Sequence, residues 1–325
     1  MEGSGTSTFT DPDDYEACIG GASVNLVLTG RGDFEARLTW LNLRQLHVLR
    51  CCENLSRIAY VALAPARVFV SFPTSTAPPP IWDGVELRFG DIVFHSRGER
   101  THQRTTGATQ WGIVSLPPEQ LAVFGKALTG LEIPSPPLGR VLRPSPIAAA
   151  HLLYLHSKAC RLAETKPGLI AHREVARALE QDLLHALVNC LTADDAQDHP
   201  SARRRHAEIM ARFEHVLAAH RDRQLPMPEL CAAVGVPERT LRLCCAEFLG
   251  MSPGSYVRLR RLNLVRAALR RADPAASIAE IAKRYGFSEP GRFAVAYRTT
   301  FGETPSATLR AVRSSLRDPA AAEFA

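Results

Sequence analysis

Residues 278–302 read IAEIAKRYGFSEPGRFAVAYRTTFG and predict two short helices joined by a tight corner. Gly286 stands at the corner, where a residue free to adopt positive φ can end one helix and redirect the chain. In the second helix Phe293, Tyr297 and Phe301 recur at every fourth position, so they share one buried face. The opposite face carries arginine. The stretch therefore predicts an exposed, basic helix that is supported by an aromatic core.

The same pattern occurs once before, in residues 228–260, and makes an internal repeat. Corresponding positions of the two copies carry the same or similar residues: Glu229 and Glu280, Gly235 and Gly286, Leu241 and Phe293, Cys245 and Tyr297, Leu249 and Phe301, Pro253 and Pro305. Ser277 and Glu280 form an S-x-x-E capping box, which specifies where one helix begins. Two short helices set across each other in each copy predict two helix-turn-helix units.

The second helix of each unit decides what the repeat can bind. We expect these helices at about 238–249 and 289–301. Arg239 and Arg242 are three residues apart and share the exposed face of the first helix, and Arg292 lies on that of the second. An arginine side chain can bond O6 and N7 of guanine together, and an exposed helix fits the major groove. The two helices therefore predict binding to double-stranded DNA.

The charge of the chain is divided unevenly. Residues 201–325 contain 21 Lys and Arg against 12 Asp and Glu, a balance of +9, whereas residues 1–200 have a balance of −3. A basic C-terminal part favours a polyanionic partner for that part alone. Arginine accounts for 20 of its 21 basic residues and suits phosphate and guanine.

These motifs resemble the DNA-binding domain of the AraC/XylS family of transcription regulators, over about residues 225–310. The similarity lies in alanine within the first helix, G-F at the corner, aromatic residues along the second helix, and FGETP before a final helix. It implies two units joined by a long helix at about 253–272, with the recognition helices in successive major grooves. It also implies the base-contacting residues, which are Arg239, Arg242, Leu243, Gly291, Arg292 and Val295. The phosphate-contacting residues that we expect are Arg258, Arg260, Lys283 and Arg284.

The sequence departs from the family pattern in two respects. Pro237 stands where the family usually has a serine N-cap, and Gly291 and Val295 offer few hydrogen bonds. We therefore expect the first unit to supply much of the sequence readout.

The predicted fold is multidomain, with an N-terminal mainly-β cupin-like barrel plus helices and a C-terminal all-α domain. Short apolar runs separated by turn residues predict the strands, and "LRFGDIVF" resembles a strand turn of such barrels. The interior of the predicted barrel encloses either a small molecule or a packed core.

From Pro146 the pattern becomes helical. The leucine stripe of these helices faces either the core of its own subunit or a sister helix in a dimer. The predicted domains are a disordered lead-in at 1–19, the β-rich sensor at 20–130, a helical dimerisation segment at 145–195, the double helix-turn-helix at 203–312 and a flexible tail at 313–325.

Three other classes of protein compete with this interpretation. His95, Glu99 and His102 could form an open metal triad in a cupin-type enzyme, but the H-x-H that usually begins that pattern is missing. A DNA alkylation-repair protein would need a four-cysteine cluster, and Cys18, Cys51 and Cys52 do not supply one. A non-specific architectural DNA-binding protein is the third alternative.

We expect a regulator, not an enzyme, with no cofactor, no metal and no membrane association. The eight cysteines contain no C-x-x-C pair, and the polar N-terminus is unlike a signal peptide, which favours a cytoplasmic location. The family resemblance further implies activation of transcription, a homodimer, contact with RNA polymerase and room for a small-molecule effector.

Overall fold

A computed structural model of the chain describes residues 3–76, 78–192, 201–221, 223, 225–273 and 275–317. The contacts divide the chain into two compact units, Met1–Leu26 with Phe34–Ala207, and Val27–Asp33 with Glu208–Ala325. The stretch between the predicted helical segment, which ends at 195, and the predicted helix-turn-helix domain, which begins at 203, lies largely outside the described residues. No helix in the described part of the chain is long and apolar enough to cross a membrane.

The first unit is rich in strands. In chain order they are β1 Ser4–Phe9, β2 Ala22–Leu28, β3 Ala36–Asn42, β4 His47–Glu53, β5 Arg57–Leu63, β6 Val68–Pro73, β7 Ile81–Trp82, β8 Val85–Glu86, β9 Ile92–Phe94, β10 Arg100–Arg104, β11 Thr109–Leu116 and β12 Arg140–Leu142. They form a seven-stranded sheet in the order β1-β3-β4-β11-β6-β9-β12 and a five-stranded sheet in the order β2-β5-β10-β7-β8. Two sheets of this kind are the arrangement that cupins share with other jelly rolls.

Within the described residues, five complete helices belong to the first unit: α1 Pro12–Cys18, α2 Pro118–Thr129, α3 Pro146–Thr165, α4 Pro167–Ile170 and α5 Arg173–Leu191. Ser145 caps α3 by accepting the Ala148 N–H, with Pro146 in the first turn, so this helix begins at its predicted residue. The leucines of α3 and α5 are buried in the same cluster as the apolar face of the larger sheet. The leucine stripe therefore faces the core of its own subunit, which is one of the two predicted alternatives.

The prediction of a disordered lead-in at 1–19 is wrong for the residues that the structure describes. β1 pairs antiparallel with β3, from Ser4 opposite Leu41 to Phe9 opposite Ala36. Asp11 caps α1 by accepting the Asp13 N–H at 2.8 Å. The polar composition of this stretch concealed both a strand partner that is distant in sequence and a local Asp-Pro helix start.

The described C-terminal part of the chain, from Ser201 onward, consists of helices: α6 Ser201–Ala219, α7 Met227–Val234, α8 Glu238–Leu249, α9 Pro253–Arg270, α10 Ile278–Arg284, α11 Pro290–Phe301 and α12 Pro305–Arg317. The all-α C-terminal domain is thus confirmed. α12 continues through 313–317, where a flexible tail was predicted, because the helical pattern after Pro305 extends past 312. Residues 318–325 lie outside the described part of the chain.

Residues 27–33 group with the second unit and not with the predicted sensor domain at 20–130. The Asn263 side chain accepts the Leu28 N–H at 3.0 Å and donates to the Leu28 carbonyl at 3.2 Å. The Gly32 N–H donates to the Phe301 carbonyl at 3.4 Å. These contacts join residues far apart in sequence, so no local pattern could predict them.

Candidate nucleic-acid interface

The first helix-turn-helix unit is formed by α7 and α8. Gly235 has φ 75° and ends α7, and its N–H donates to the carbonyls of Cys231 and Ala232. α8 then buries Leu241, Cys245 and Phe248, as its spacing predicts. This packing fixes the rotation of α8 about its own axis and leaves its other face exposed.

The second unit repeats this construction with larger side chains. Gly286, with φ 77°, is the corner between α10 and α11. Along α11 the ring centroids of Phe293 and Tyr297 are 5.7 Å apart, and those of Tyr297 and Phe301 are 4.7 Å apart. The Tyr297 hydroxyl pairs with the Thr308 hydroxyl at 2.8 Å, which ties α11 to α12. An aromatic ladder therefore supports this recognition helix, as predicted.

The connecting helix α9 carries arginines that fasten both units internally. Arg260 is 7% exposed and forms an ion pair with Glu214 of α6, whose carboxylate also accepts the Tyr256 hydroxyl at 2.6 Å. Arg261 donates to the Tyr285 carbonyl and stacks over Phe287, with its guanidinium carbon 4.9 Å from the ring centroid. Through two consecutive residues, α9 thus contacts both α6, by Arg260, and the corner between α10 and α11, by Arg261.

The placement of Arg260 corrects the expectation that it contacts phosphate. A guanidinium that is buried against a carboxylate is not available to a phosphate of the DNA backbone. Arg258, Lys283 and Arg284 are exposed, and their contact with phosphate stays a prediction. The sequence could not distinguish Arg258 from Arg260, because Glu214 lies 46 residues away from its partner.

The predicted base-contacting residues of the first unit lie together on the exposed face of α8. Arg239 and Arg242 are exposed, and Leu243 has 57% of its surface exposed. Arg242 is held by Glu238 one turn earlier, with Nη2 2.6 Å and Nε 2.8 Å from Oε1. The face therefore presents two cations and one large apolar side chain to its surroundings.

One face of α11, the second recognition helix, is exposed in the same way. Gly291 and Arg292 are exposed, and Val295 has 69% of its surface exposed. Arg292 pairs with Glu289, with Nε 3.0 Å from Oε2. Sequence reasoning missed both glutamates as partners, although their spacings of four and three residues from arginine are those of helical ion pairs.

Both recognition helices begin without a side-chain cap. Pro237 and Glu289 precede α8 and α11 and make no capping hydrogen bond, whereas Ser252 and Ser277 cap α9 and α10. Uncapped helix N-termini present free backbone N–H groups and the positive end of the helix dipole. Such a terminus is suited to a phosphate of the DNA backbone.

The structure does not assemble the residues of the rival metal triad. His95 uses both ring nitrogens, with Nε2 2.8 Å from the Ser71 hydroxyl and Nδ1 3.0 Å from Glu99. His102 stacks on Tyr60 with the ring centroids 4.9 Å apart. Among the described residues no group of three or more His, Cys, Asp or Glu side chains could hold a metal ion. All eight cysteines are free.

Comparisons with known proteins find a matching domain profile and several similar proteins. A family profile described as a helix-turn-helix domain matches residues 230–311. The probable thc operon regulatory protein of Rhodococcus erythropolis is 40% identical over 97 residues, which are 30% of this chain and 29% of that protein. The XylDLEGF operon transcriptional activator 1 of Pseudomonas putida is 39% identical over 100 residues, 30% of each chain. The solved structure of the AraC-like transcriptional activator CuxR is 18% identical, with a TM-score of 0.42, and covers 82% of this chain and 96% of its own.

The chain thus spans about three tenths of the length of these two curated relatives. The part that the family profile matches, residues 230–311, coincides with the repeated units and includes α8 and α11. Residues 230–311 of this chain form an AraC-type helix-turn-helix domain, as the motif resemblance predicts.

Proposed function

We propose that the protein is a sequence-specific DNA-binding transcription regulator that inserts α8 and α11 into successive major grooves. The observation that carries this proposal is the duplicated scaffold: each unit buries one side of its second helix and leaves an arginine-bearing face exposed. In an ordinary helical bundle an arginine face is only exposed to solvent. Such a bundle has no need of two units with the same corner and the same buried face. The protein would act in the cytoplasm, where its DNA partner lies.

The chemistry of readout follows from the exposed residues. Arg242 and Arg292 would each donate two hydrogen bonds to a guanine, and Leu243 and Val295 would contact thymine methyl groups. The uncapped N-termini of α8 and α11 would receive phosphates. Exposed basic residues beside the helices, namely Arg258, Lys283 and Arg284, would add contacts that set affinity and register.

Activation of transcription is the second part of the proposal. The Pseudomonas putida relative is named as an activator, which supports this sign of regulation. An activator at a promoter would contact RNA polymerase. A homodimer would read paired sites, and the outer face of α3 is available to it, where Ile147 and Tyr154 are exposed by 84% and 58%.

A small-molecule effector is the third part of the proposal. A cavity of about 630 Å³ opens at one end of the seven-stranded sheet. Its lining combines Phe9 with the polar side chains of Arg37, Glu53 and Gln110. A pocket of this size with a few polar groups is typical of small-ligand sites. An effector bound there would change the DNA affinity of the full-length protein.

Selection of duplexes from a random DNA library by the full-length protein, at near-physiological salt, tests the proposed function. We expect enrichment of two short blocks about one helical turn, ~10 base pairs, apart. Binding that is salt-sensitive but enriches no motif would contradict sequence-specific readout and favour the architectural alternative.

A further inference from the structure

A second pocket of the first unit lies outside the two sheets. It has a volume of about 440 Å³ and is bounded by the hairpin between β3 and β4, by α2 and by the beginning of α5. Its apolar wall is formed by Phe124, Ala176 and Leu184, which belong to the main core or pack against it. The volume is within the range of small-molecule sites, which is ~300–1,000 Å³.

Three arginines line this pocket. Arg44 comes from the hairpin, and Arg173 and Arg177 come from the first two turns of α5. All three are exposed, and within the described part of the chain none of their guanidinium groups has an ion pair or a hydrogen bond. Among the described residues, no carboxylate is therefore paired with the cationic side of the pocket.

The one carboxylate in the lining is already engaged. Glu180 is buried and accepts the backbone N–H groups of Gln45 and Leu46 at 2.6 and 3.1 Å. These bonds hold the tip of the hairpin against α5 and so fix the distance across the pocket. Glu180 therefore shapes the pocket without pairing with an arginine.

Two further electrostatic effects disfavour the positive charges of Arg173 and Arg177. Arg173 and Arg177 are four residues apart on one helix, so their like charges are neighbours and repel. They also occupy the N-terminal end of α5, where the helix dipole disfavours cations. A bound anion would relieve both effects, because arginine forks bind carboxylate and phosphate groups in a bidentate manner.

We propose that this pocket binds a small organic anion with at least two negative charges. Arg173 and Arg177 hold one anionic group, Arg44 holds the other, and the carbon body of the ligand packs against Phe124 and Leu184. A phosphorylated compound and a polycarboxylate share this chemistry. The site is separate from the cavity at the end of the sheet, and its existence does not depend on DNA binding.

Isothermal titration of the full-length protein without DNA tests the site, with inorganic pyrophosphate and citrate as the probes. We expect saturable binding of at least one probe. Pyrophosphate alone would identify a phosphorylated ligand, and citrate alone would identify a polycarboxylate. The double variant Arg173→Gln/Arg177→Gln should weaken binding at least tenfold, since two charge-assisted contacts are lost. Arg44→Gln, on another element, should weaken it as well.

Arg161→Gln is the matched control, because Arg161 is exposed on α3 and lines none of these pockets. Its affinity for the probe should equal that of the unaltered protein. If neither probe binds saturably, the proposal is wrong. It is equally wrong if the double variant binds as tightly as the control, since the anion would then occupy the basic DNA-binding domain.

Discussion

At the scale of single residues, two adjacent arginines of α9 show that neighbours in sequence can have different partners in the fold. Arg260 and Arg261 follow each other in α9, yet one pairs with a carboxylate of α6 and the other with a backbone carbonyl of the second corner. Neither is free to contact DNA, although both belong to the basic C-terminal part of the chain. Net charge predicts a polyanionic partner for this part of the chain but does not identify which cations are exposed.

Arg260→Ala should strongly destabilise the second unit. The substitution leaves the Glu214 carboxylate buried with its charge uncompensated, which costs about 3–5 kcal/mol in such pairs. Chemical denaturation of the full-length protein, followed through the helical transition, measures the loss. Arg258→Ala is the control, since Arg258 is exposed, and it should change stability by less than about 0.5 kcal/mol. Equal effects of the two substitutions would refute a structural role for Arg260.

Replacing two glycines of the second unit by alanine should change the free energy of unfolding in opposite directions. At Gly286 φ is 77°, and a Cβ would overlap Nη2 of Arg261, so Gly286→Ala should destabilise by at least about 1–2 kcal/mol. At Gly291, within α11, a Cβ meets no other atom within 4 Å, so Gly291→Ala should stabilise by about 0.5–1 kcal/mol. Thermal unfolding of both variants measures the difference. Similar shifts in the same direction would show that the corner is not constrained as described.

His156 should make the first unit sensitive to acid. Burial in the core lowers the pKa of His156 to about 4, from an ordinary value of 6.5. Because the unfolded chain takes up a proton near pH 6.5 and the folded chain only near pH 4, the folded state loses stability as the pH falls between these values. The pKa difference corresponds to about 3 kcal/mol.

His156→Gln removes this titration while keeping an N–H that can donate to the Leu49 carbonyl, 2.9 Å from His156 Nε2. Denaturation curves between pH 4.5 and 7 should show that the unaltered protein loses more stability on acidification than the variant does. Parallel pH profiles would mean that His156 is accessible to protons in the folded state.

At the scale of elements, local signals predicted the second unit well. α8 covers Glu238–Leu249, the predicted range, because an apolar stripe, Gly235 before it and Gly250 after it all act within a few residues. The capping serines of α9 and α10 act over three residues, and their helices begin where the sequence places them. The prediction was wrong for β1, where pairing with a distant strand outweighed polar composition, and for α1, which begins at a local Asp-Pro start.

Exposed basic residues beside the recognition helices should affect affinity without affecting sequence preference. Lys283→Ala would remove one of the proposed phosphate contacts, so the slope of log K against log salt should become smaller in magnitude by about 1. Fluorescence anisotropy with a selected duplex, from low to physiological salt, measures the slope. Arg161→Ala, in the first unit, is the control and should leave the slope unchanged. A changed motif with an unchanged slope would assign Lys283 to base readout.

At the scale of the whole molecule, the sequence predicted a mainly β N-terminal part and a C-terminal double helix-turn-helix, and both are observed. Three features escaped prediction: the strand order of the two sheets, the grouping of residues 27–33 with the second unit, and the arginine-lined pocket. Each brings together residues that are far apart in sequence. The exposed faces of α8 and α11 were predictable because helical periodicity alone determines which side is buried.

The central claim is that both recognition helices read DNA sequence, and selection from a random duplex library with Arg242→Ala and Arg292→Ala tests it most directly. The unaltered protein should enrich two blocks about one helical turn apart. Each substitution should degrade one block only, at a cost of about 1–3 kcal/mol for the best site. If either variant enriches the full two-block motif, or if both lose the same block, the two helices do not read separate grooves and the claim is contradicted.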